Sequence, residues 1–193
     1  MLVFELVYNV KICSLVPIID AIHKPTMIKI RLERKSDQKS IREITELAFK
    51  GKPYADGDEQ DLIEKLRKAG ALALSLVALD NEELVGQVTF SLAKIDSATG
   101  PWYALGPVSV TPSRQREGIG SRLIEAGLSE IKHRGALGCI LVGDPVFYSR
   151  FGFEVTPFCC PESEPEKYFM VKLFSTVRPT GCFSFHSIFY EDG

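Results

Sequence analysis

Hydrophobic positions along this chain change period several times, and each change marks an element. From Met27 the sequence MIKIRLERKSDQKSIREITELAF opens with apolar and charged residues in alternation, which predicts a strand over Ile28 to Glu33. A helical period then takes over. Ile41, Ile44, Leu47 and Ala48 share one face of a helix that starts near Ser36 or Asp37. After a polar stretch, Gly51 to Asp58, a second helix is predicted near Glu59 to Lys68 with Leu62, Ile63 and Leu66 inward. Two apolar, partly β-branched runs follow, Leu72 to Leu79 and Glu83 to Leu92. Asp80-Asn81-Glu82 between them is turn chemistry, so a hairpin is expected.

Ala93 to Pro101 reads as a polar connection to a Val-rich strand, Leu105 to Thr111. Pro107 cannot donate to a ladder and therefore belongs at an edge or a bulge. Leu123, Ile124, Leu128 and Ile131 then predict a helix over Ser121 to Lys132, with Arg122, Glu125, Glu130 and Lys132 on its wet side. Ala136 to Gly143 is a short apolar run of the kind that makes a buried strand. Tyr168 to Phe174 and Gly181 to Phe189 supply further strands around the Pro-containing loop Thr156 to Lys167.

At 193 residues with 45% hydrophobic content, the chain is expected to fold as one domain. A net charge of -2 argues against nucleic-acid binding, which calls for a basic face. The five cysteines, Cys13, Cys139, Cys159, Cys160 and Cys182, are an odd set without metal-like spacing and read as cytoplasmic thiols. Cys139 is expected in the core and the Cys159-Cys160 pair in a loop. His23, His133 and His186 make no ligand pattern, so no metal is predicted. Residues 1–26 are apolar but interrupted by Glu5, Lys11 and Asp20, with no basic n-region and no small-residue cleavage site. Neither a signal peptide nor a membrane span is expected there. They read as an extension, a vector-derived piece or an upstream start before a domain covering 27–193.

The stretch Gln115-Arg116-Glu117-Gly118-Ile119-Gly120 carries the chemistry, because a strand turns there directly into a helix. The first helical N–H groups lack internal partners and lie at the positive end of the helix dipole, which suits a phosphate or pyrophosphate. Gly118 and Gly120 let a ligand approach the backbone. A Walker loop is excluded, since Gly120 is followed by Ser121 with no Lys. A dinucleotide fingerprint fits poorly, because Leu123 stands where a third Gly or Ala belongs. Arg114, Arg116 and Arg122 form a basic cluster beside the loop that could pair with phosphates.

The spacing of Gln115, Gly118 and Gly120 fits Gln/Arg-x-x-Gly-x-Gly/Ala and resembles the pyrophosphate loop of the GNAT superfamily of acyl-CoA-dependent N-acetyltransferases. Downstream, Gly143-Asp144-Pro145 through Tyr148-Ser149-Arg150-Phe151-Gly152-Phe153 resembles the family's Tyr-x-x-x-Gly-Phe segment and is similar to its small YhbS-like bacterial branch. The likeness spans Leu105 to Glu154. It implies a mixed α/β fold, with a central, mostly antiparallel sheet whose middle strands splay and are flanked by helices.

It also implies acetyl-CoA as cosubstrate and direct transfer to a primary amine in a ternary complex. Backbone pairing at Val108, Ser109 and Val110 would hold the pantetheine. Amides of Gln115, Arg116, Glu117, Gly118, Ile119, Gly120 and Ser121 would hold the pyrophosphate. A strand amide near Val110 would polarise the thioester carbonyl, and Tyr148 would protonate the departing sulfur. The base is left open between Glu59, Asp144 and ordered water. The implied acceptor is an amine-bearing small molecule or protein, with neither nucleic acid nor membrane as partner; a homodimer is compatible with the family. A non-catalytic acyl-CoA sensor or interaction module is the alternative, and the presence of Tyr148 favours the enzyme.

Overall fold

Alternating apolar residues form strands that assemble into one eight-stranded sheet, described by a computed structural model over residues 27–53, 55–95, 100–156, 159–176 and 178–191. Residues 1–26, read above as an extension, lie outside these described residues, as do 96–99 of the predicted polar connection. The strands are β1 (Lys29–Leu32), β2 (Leu72–Asp80), β3 (Glu83–Ile95), β4 (Trp102–Val110), β5 (Gly138–Val142), β6 (Glu154–Val155), β7 (Phe169–Leu173) and β8 (Phe183–Ser184). Their order is β1-β2-β3-β4-β5-β7-β6, with β8 against the end of β3. Four helices accompany them: α1 (Gln38–Phe49), α2 (Glu59–Lys68), α3 (Ile119–His133) and the short α4 (Pro145–Tyr148).

The β2–β3 hairpin turns where the sequence expects it. Asn81 and Glu82 both adopt left-handed φ, at 47° and 69°. A two-residue turn of that hand matches the twist of the flanking strands. Every described pairing is antiparallel except β4 with β5, which runs parallel over only three pairs, Trp102–Ala104 with Gly138–Ile140.

Two faces of the sheet carry different cores. On one, α3 lays Ile119, Leu123, Ile124, Leu128 and Ile131 against Val88, Phe90, Tyr103, Leu105, Cys139 and Leu141. Gly127 allows α3 to sit close, since a Cβ there would lie 2.2 Å from the Phe90 ring. On the other face, α1 and α2 contribute Ile41 and Ile63, packed on Val77. A separate aromatic cluster gathers Trp102, Phe169, Phe183 and Phe185 at the far end of that face.

Several expectations need correction. Leu47 is 53% exposed, and Thr45 takes its place in the buried stripe of α1, because the sheet beneath is polar at that point. The run Gly181 to Phe189 contains only a two-residue strand, followed by a 3₁₀ turn at Ser187–Tyr190. Its aromatics are buried by clustering with Trp102 and Phe169 rather than by strand pairing. Cys159 and Cys160 lie in the predicted loop, and their side chains are buried in that cluster. Strand β4 starts at Trp102, three residues before the predicted Leu105, and β3 runs on to Ile95. The short strand β6 lies where no strand was expected.

Candidate active site

The site begins with a mismatch in strand length. Val88 of β3 faces Val108 of β4, but Phe90 faces Leu105, so Thr89 alone opposes Gly106 and Pro107. Two residues against one is a β-bulge, and it stands where Pro107 required one. Just before the bulge, the parallel ladder between β4 and β5 ends at Ala104. Beyond it β4 continues to Val110 and β5 to Val142 without pairing, so the sheet opens into a cleft between them.

The loop after β4 closes one end of this cleft. Pro112–Arg114 make a 3₁₀ turn, Arg116 adopts φ 67° and Gly118, the N-cap of α3, adopts φ 80°. Left-handed residues in such a run rotate successive amides toward a common side, the geometry of an anion-binding nest. Among the described residues, the N–H groups of Arg116 through Ser121 donate to no backbone or side-chain acceptor. Gly120 has no packing reason to be glycine: a Cβ there would touch only Val110 Cγ2, at 3.6 Å. The backbone is thus left bare toward the space in which a pyrophosphate would sit, and the residues present fit that group.

Side chains hold the loop in this shape. Gln115 Nε2 donates to Val110 O at 3.2 Å, tying the loop to the strand. Arg114, expected above as a phosphate partner, is already engaged. Its Nη1 reaches Asp80 Oδ2 at 2.8 Å, and its Nε reaches Glu117 Oε2 at 2.9 Å. Hydrogen bonds to these two carboxylates, Asp80's first, raise the guanidinium above its ordinary pKa. Arg114 therefore pins the loop to the β2–β3 turn and offsets the negative charge of Glu117. Arg122 is likewise occupied, donating to Ile28 O at 2.8 Å. Of the predicted basic cluster, Arg116 is the residue whose side chain makes no such bond.

The loop after β5 closes the other side. Asp144 caps α4, its Oδ1 accepting from Val146 N at 2.9 Å, and it faces solvent. Tyr148 ends α4 half-buried, with its ring edge-on to Phe147 at 4.9 Å and to Phe153 at 6.1 Å. Gly143 lies beneath it: a Cβ there would come within 2.4 Å of the Tyr148 ring. Glu59 is the first residue of α2, one turn before the buried Ile63 and two before Leu66. Its Oε1 accepts from Asp56 N at 3.1 Å, while Oε2 is buried without a partner.

One feature near the bulge went unread in the sequence. Gln87, Thr89 and Ser91 of β3 lie fully buried, and with Thr45 and Ser109 they make a polar band. The signal was available: in Gly-Gln-Val-Thr-Phe-Ser, polar residues hold every second position of an apolar strand. Among the described residues, no group of His, Cys, Asp and Glu is placed to hold a metal ion. No described helix is long and apolar enough to cross a membrane.

Comparison with known proteins gives consistent likenesses. Residues 29–156 match the acetyltransferase (GNAT) domain. The uncharacterized N-acetyltransferase YhbS of Escherichia coli K12 is 35% identical over 98 residues, which is 50% of this chain and 59% of YhbS. The chain thus spans less than two thirds of that relative in the match. YjhQ, another uncharacterized N-acetyltransferase of the same organism, is 30% identical over 75% of this chain and 83% of its own length. A GNAT family acetyltransferase from Brucella melitensis, solved in complex with acetyl-CoA, is 40% identical with a TM-score of 0.75, covering 85% of this chain and 99% of that one.

Proposed function

The chain belongs to the GNAT acetyltransferase family, and from that footing we propose that it moves the acetyl group of acetyl-CoA to a primary amine by direct transfer, with both substrates bound. The observation that carries the reading is the row of six unpartnered amides, Arg116 to Ser121, at the mouth of the β4–β5 cleft. The complex of the Brucella relative with acetyl-CoA supports the same cosubstrate. In this reading the amides receive the pyrophosphate, and the backbone of Val108, Ser109 and Val110 receives the pantetheine.

The transfer asks three things of the protein. The acceptor nitrogen must lose a proton, the carbonyl oxygen must be stabilised as it gains charge, and the sulfur must leave. The nitrogen forms a bond to the carbonyl carbon as the carbon–sulfur bond breaks. We assign the first proton to Glu59, one of whose carboxylate oxygens makes no hydrogen bond, rather than to Asp144, whose carboxylate is committed to its cap. A strand amide near Val110 stabilises the oxyanion. Tyr148 supplies the proton to the departing sulfur: a phenol titrates near ~10 and a thiol near ~8.5, so the donor is protonated at neutral pH.

Burial of Cys139, Cys159 and Cys160 favours direct transfer over an acetyl-cysteine intermediate on any of them. Cys139, on β5 beside the cleft, is fully buried, and burial pushes its thiol far above the ordinary value. Burial also raises Cys159 and Cys160. A protonated, enclosed thiol is a poor nucleophile.

Titration of acetyl-CoA into wild type and Gly120→Val tests the assignment. The variant is expected to keep its circular dichroism spectrum, because its Cβ meets nothing closer than an ordinary contact, and to lose at least tenfold in affinity. Wild-type affinity in a folded variant would remove the loop from the site. Acetyl-CoA binding without thiol release to any amine would favour the sensor instead.

A further inference from the structure

The turn that carries Tyr148 runs from Gly143 to Gly152 and is anchored at both ends. Gly143 lies one residue beyond the last β5–β7 pair, Val142 with Phe169, and its N–H donates to Tyr168 O at 3.0 Å. Asp144 then caps α4: its carboxylate accepts from Val146 N, and its carbonyl accepts from the N–H groups of Phe147 and Tyr148. At the other end, Lys172 of β7 donates from Nζ to Phe151 O at 2.6 Å. Gly152 follows in left-handed φ, at 79°, and a Cβ there would lie 2.7 Å from that Nζ. A side chain at 152 would thus be strained and would press on the Lys172 tie.

Gly143 is glycine for a different reason. Its φ is not left-handed, so its own backbone would accept a side chain. Tyr148 would not: a Cβ at 143 would lie 2.4 Å from Tyr148 Cε2 and 2.8 Å from Cδ2. Carbon atoms in ordinary contact stand ~3.5 Å apart, so the ring would have to retreat by about 1 Å. Sideways retreat is opposed by Phe147 and Phe153, edge-on at 4.9 and 6.1 Å, and by Phe151 at 6.4 Å. The main chain at 143 is held by the Tyr168 bond, and that of the turn by the Asp144 cap and the Lys172 tie. What is left to the ring is to swing off the end of β5.

We infer that Gly143 and Lys172 are positioning residues for Tyr148: the ring rests on the bare Cα of Gly143 beside the end of β5, and Lys172 holds the turn that carries it. Neither is assigned a part in the chemistry. The inference rests on the transferase reading above, in which the Tyr148 phenol protonates the departing sulfur, and it states what fixes that donor in place. The requirement is strict, because misplacing a reacting group by ~1 Å can cost ~10²-fold in rate.

Gly143→Ala adds the one methyl group in question. In a thiol-release assay with n-butylamine, 1,4-diaminobutane and glycinamide as acceptors, its kcat is expected to fall by ~10- to 10²-fold, while acetyl-CoA affinity by titration stays within a few fold. In a Tyr148→Phe background the same substitution should cost less than about twofold, because the proton it misplaces is already gone. A merely structural role would multiply the two losses, and that outcome overturns the inference. A crystal structure of Gly143→Ala is expected to show the Tyr148 ring turned off β5 over an unmoved α4. A ring left in place, with the main chain at 143 shifted instead, also overturns it.

Lys172→Met keeps the stem of the side chain and removes the ammonium, so it carries the test if Gly143→Ala does not fold. Its kcat should fall by ~3- to 10-fold, and again only while Tyr148 is present. Wild-type kcat in either folded variant overturns the inference and leaves the transferase reading standing. If no amine releases thiol from the wild-type protein, the transferase reading itself fails and the positioning role falls with it.

Discussion

Strand β3 faces two ways, and its two faces obey different rules. Val88 and Phe90 meet α3 in a hydrophobic core with Leu123, Ile124 and Leu128. Gln87, Thr89 and Ser91, interleaved with them, are just as buried, but Gln87 and Thr89 reach a hydroxyl and the Pro107 carbonyl. A closed apolar face gains from each added contact. A buried polar face gains only when every group is matched, and a half-matched one is inferior to an apolar core. The first face is built to hold the sheet together; the second leaves the buried Gln87 Oε1 and Ser91 Oγ unmatched.

The contrast can be broken from either side. The largest effect is expected from Phe90→Ala, which empties the space beneath Gly127: about 3–5 kcal/mol of stability, or roughly 10 °C in melting temperature for a chain of this size. Thermal unfolding checks it, and a loss under 1 kcal/mol would show that this core is not the tightly packed one described.

Tyr148→Phe comes next. Its ring packs against the hydrophobic cluster while its phenol is assigned to the chemistry, so the substitution keeps the first role and removes the second. kcat should fall at least tenfold, with acetyl-CoA affinity within a few fold. An unchanged kcat, with chemistry shown to be rate-limiting, removes Tyr148 from the mechanism. Smallest is Thr89→Val, which takes one donor from Pro107 O and should cost about 1 kcal/mol in denaturant unfolding. A gain in stability there would mean that the bulge carbonyl does not need its side-chain donors.

Much of this was legible because local chemistry left few choices. Asn81-Glu82 could only be a turn, Pro107 could only sit at an edge or bulge, and Gly118 and Gly120 announced a bare helix start. Pairings between distant residues were not legible. Arg114 reads in sequence as a cation near phosphates, and only the fold brings Asp80 of the hairpin turn within 2.8 Å to occupy it. Thr45 reads as a helix-side polar residue until Gln87 and Ser109 arrive beneath it from two other strands. Leu47 and Thr45 exchanged burial for that reason. Period alone measures how apolar a face is, and the face α1 covers at that point is not apolar.

The parallel seam has a mechanical consequence. Strands β1 to β4 form one antiparallel ribbon and β5, β7 and β6 another, and three residue pairs of β4 and β5 join them in the described ladder. A plate scored in this way flexes along the score, with α3 as the backing on one side. Amides near Trp102–Ala104 and Gly138–Ile140 should therefore exchange with solvent deuterium sooner than those in the middle of β2 and β3. A ligand lodged in the open part of the seam would splice the two ribbons together, so its protection should be read most strongly in the strands it joins.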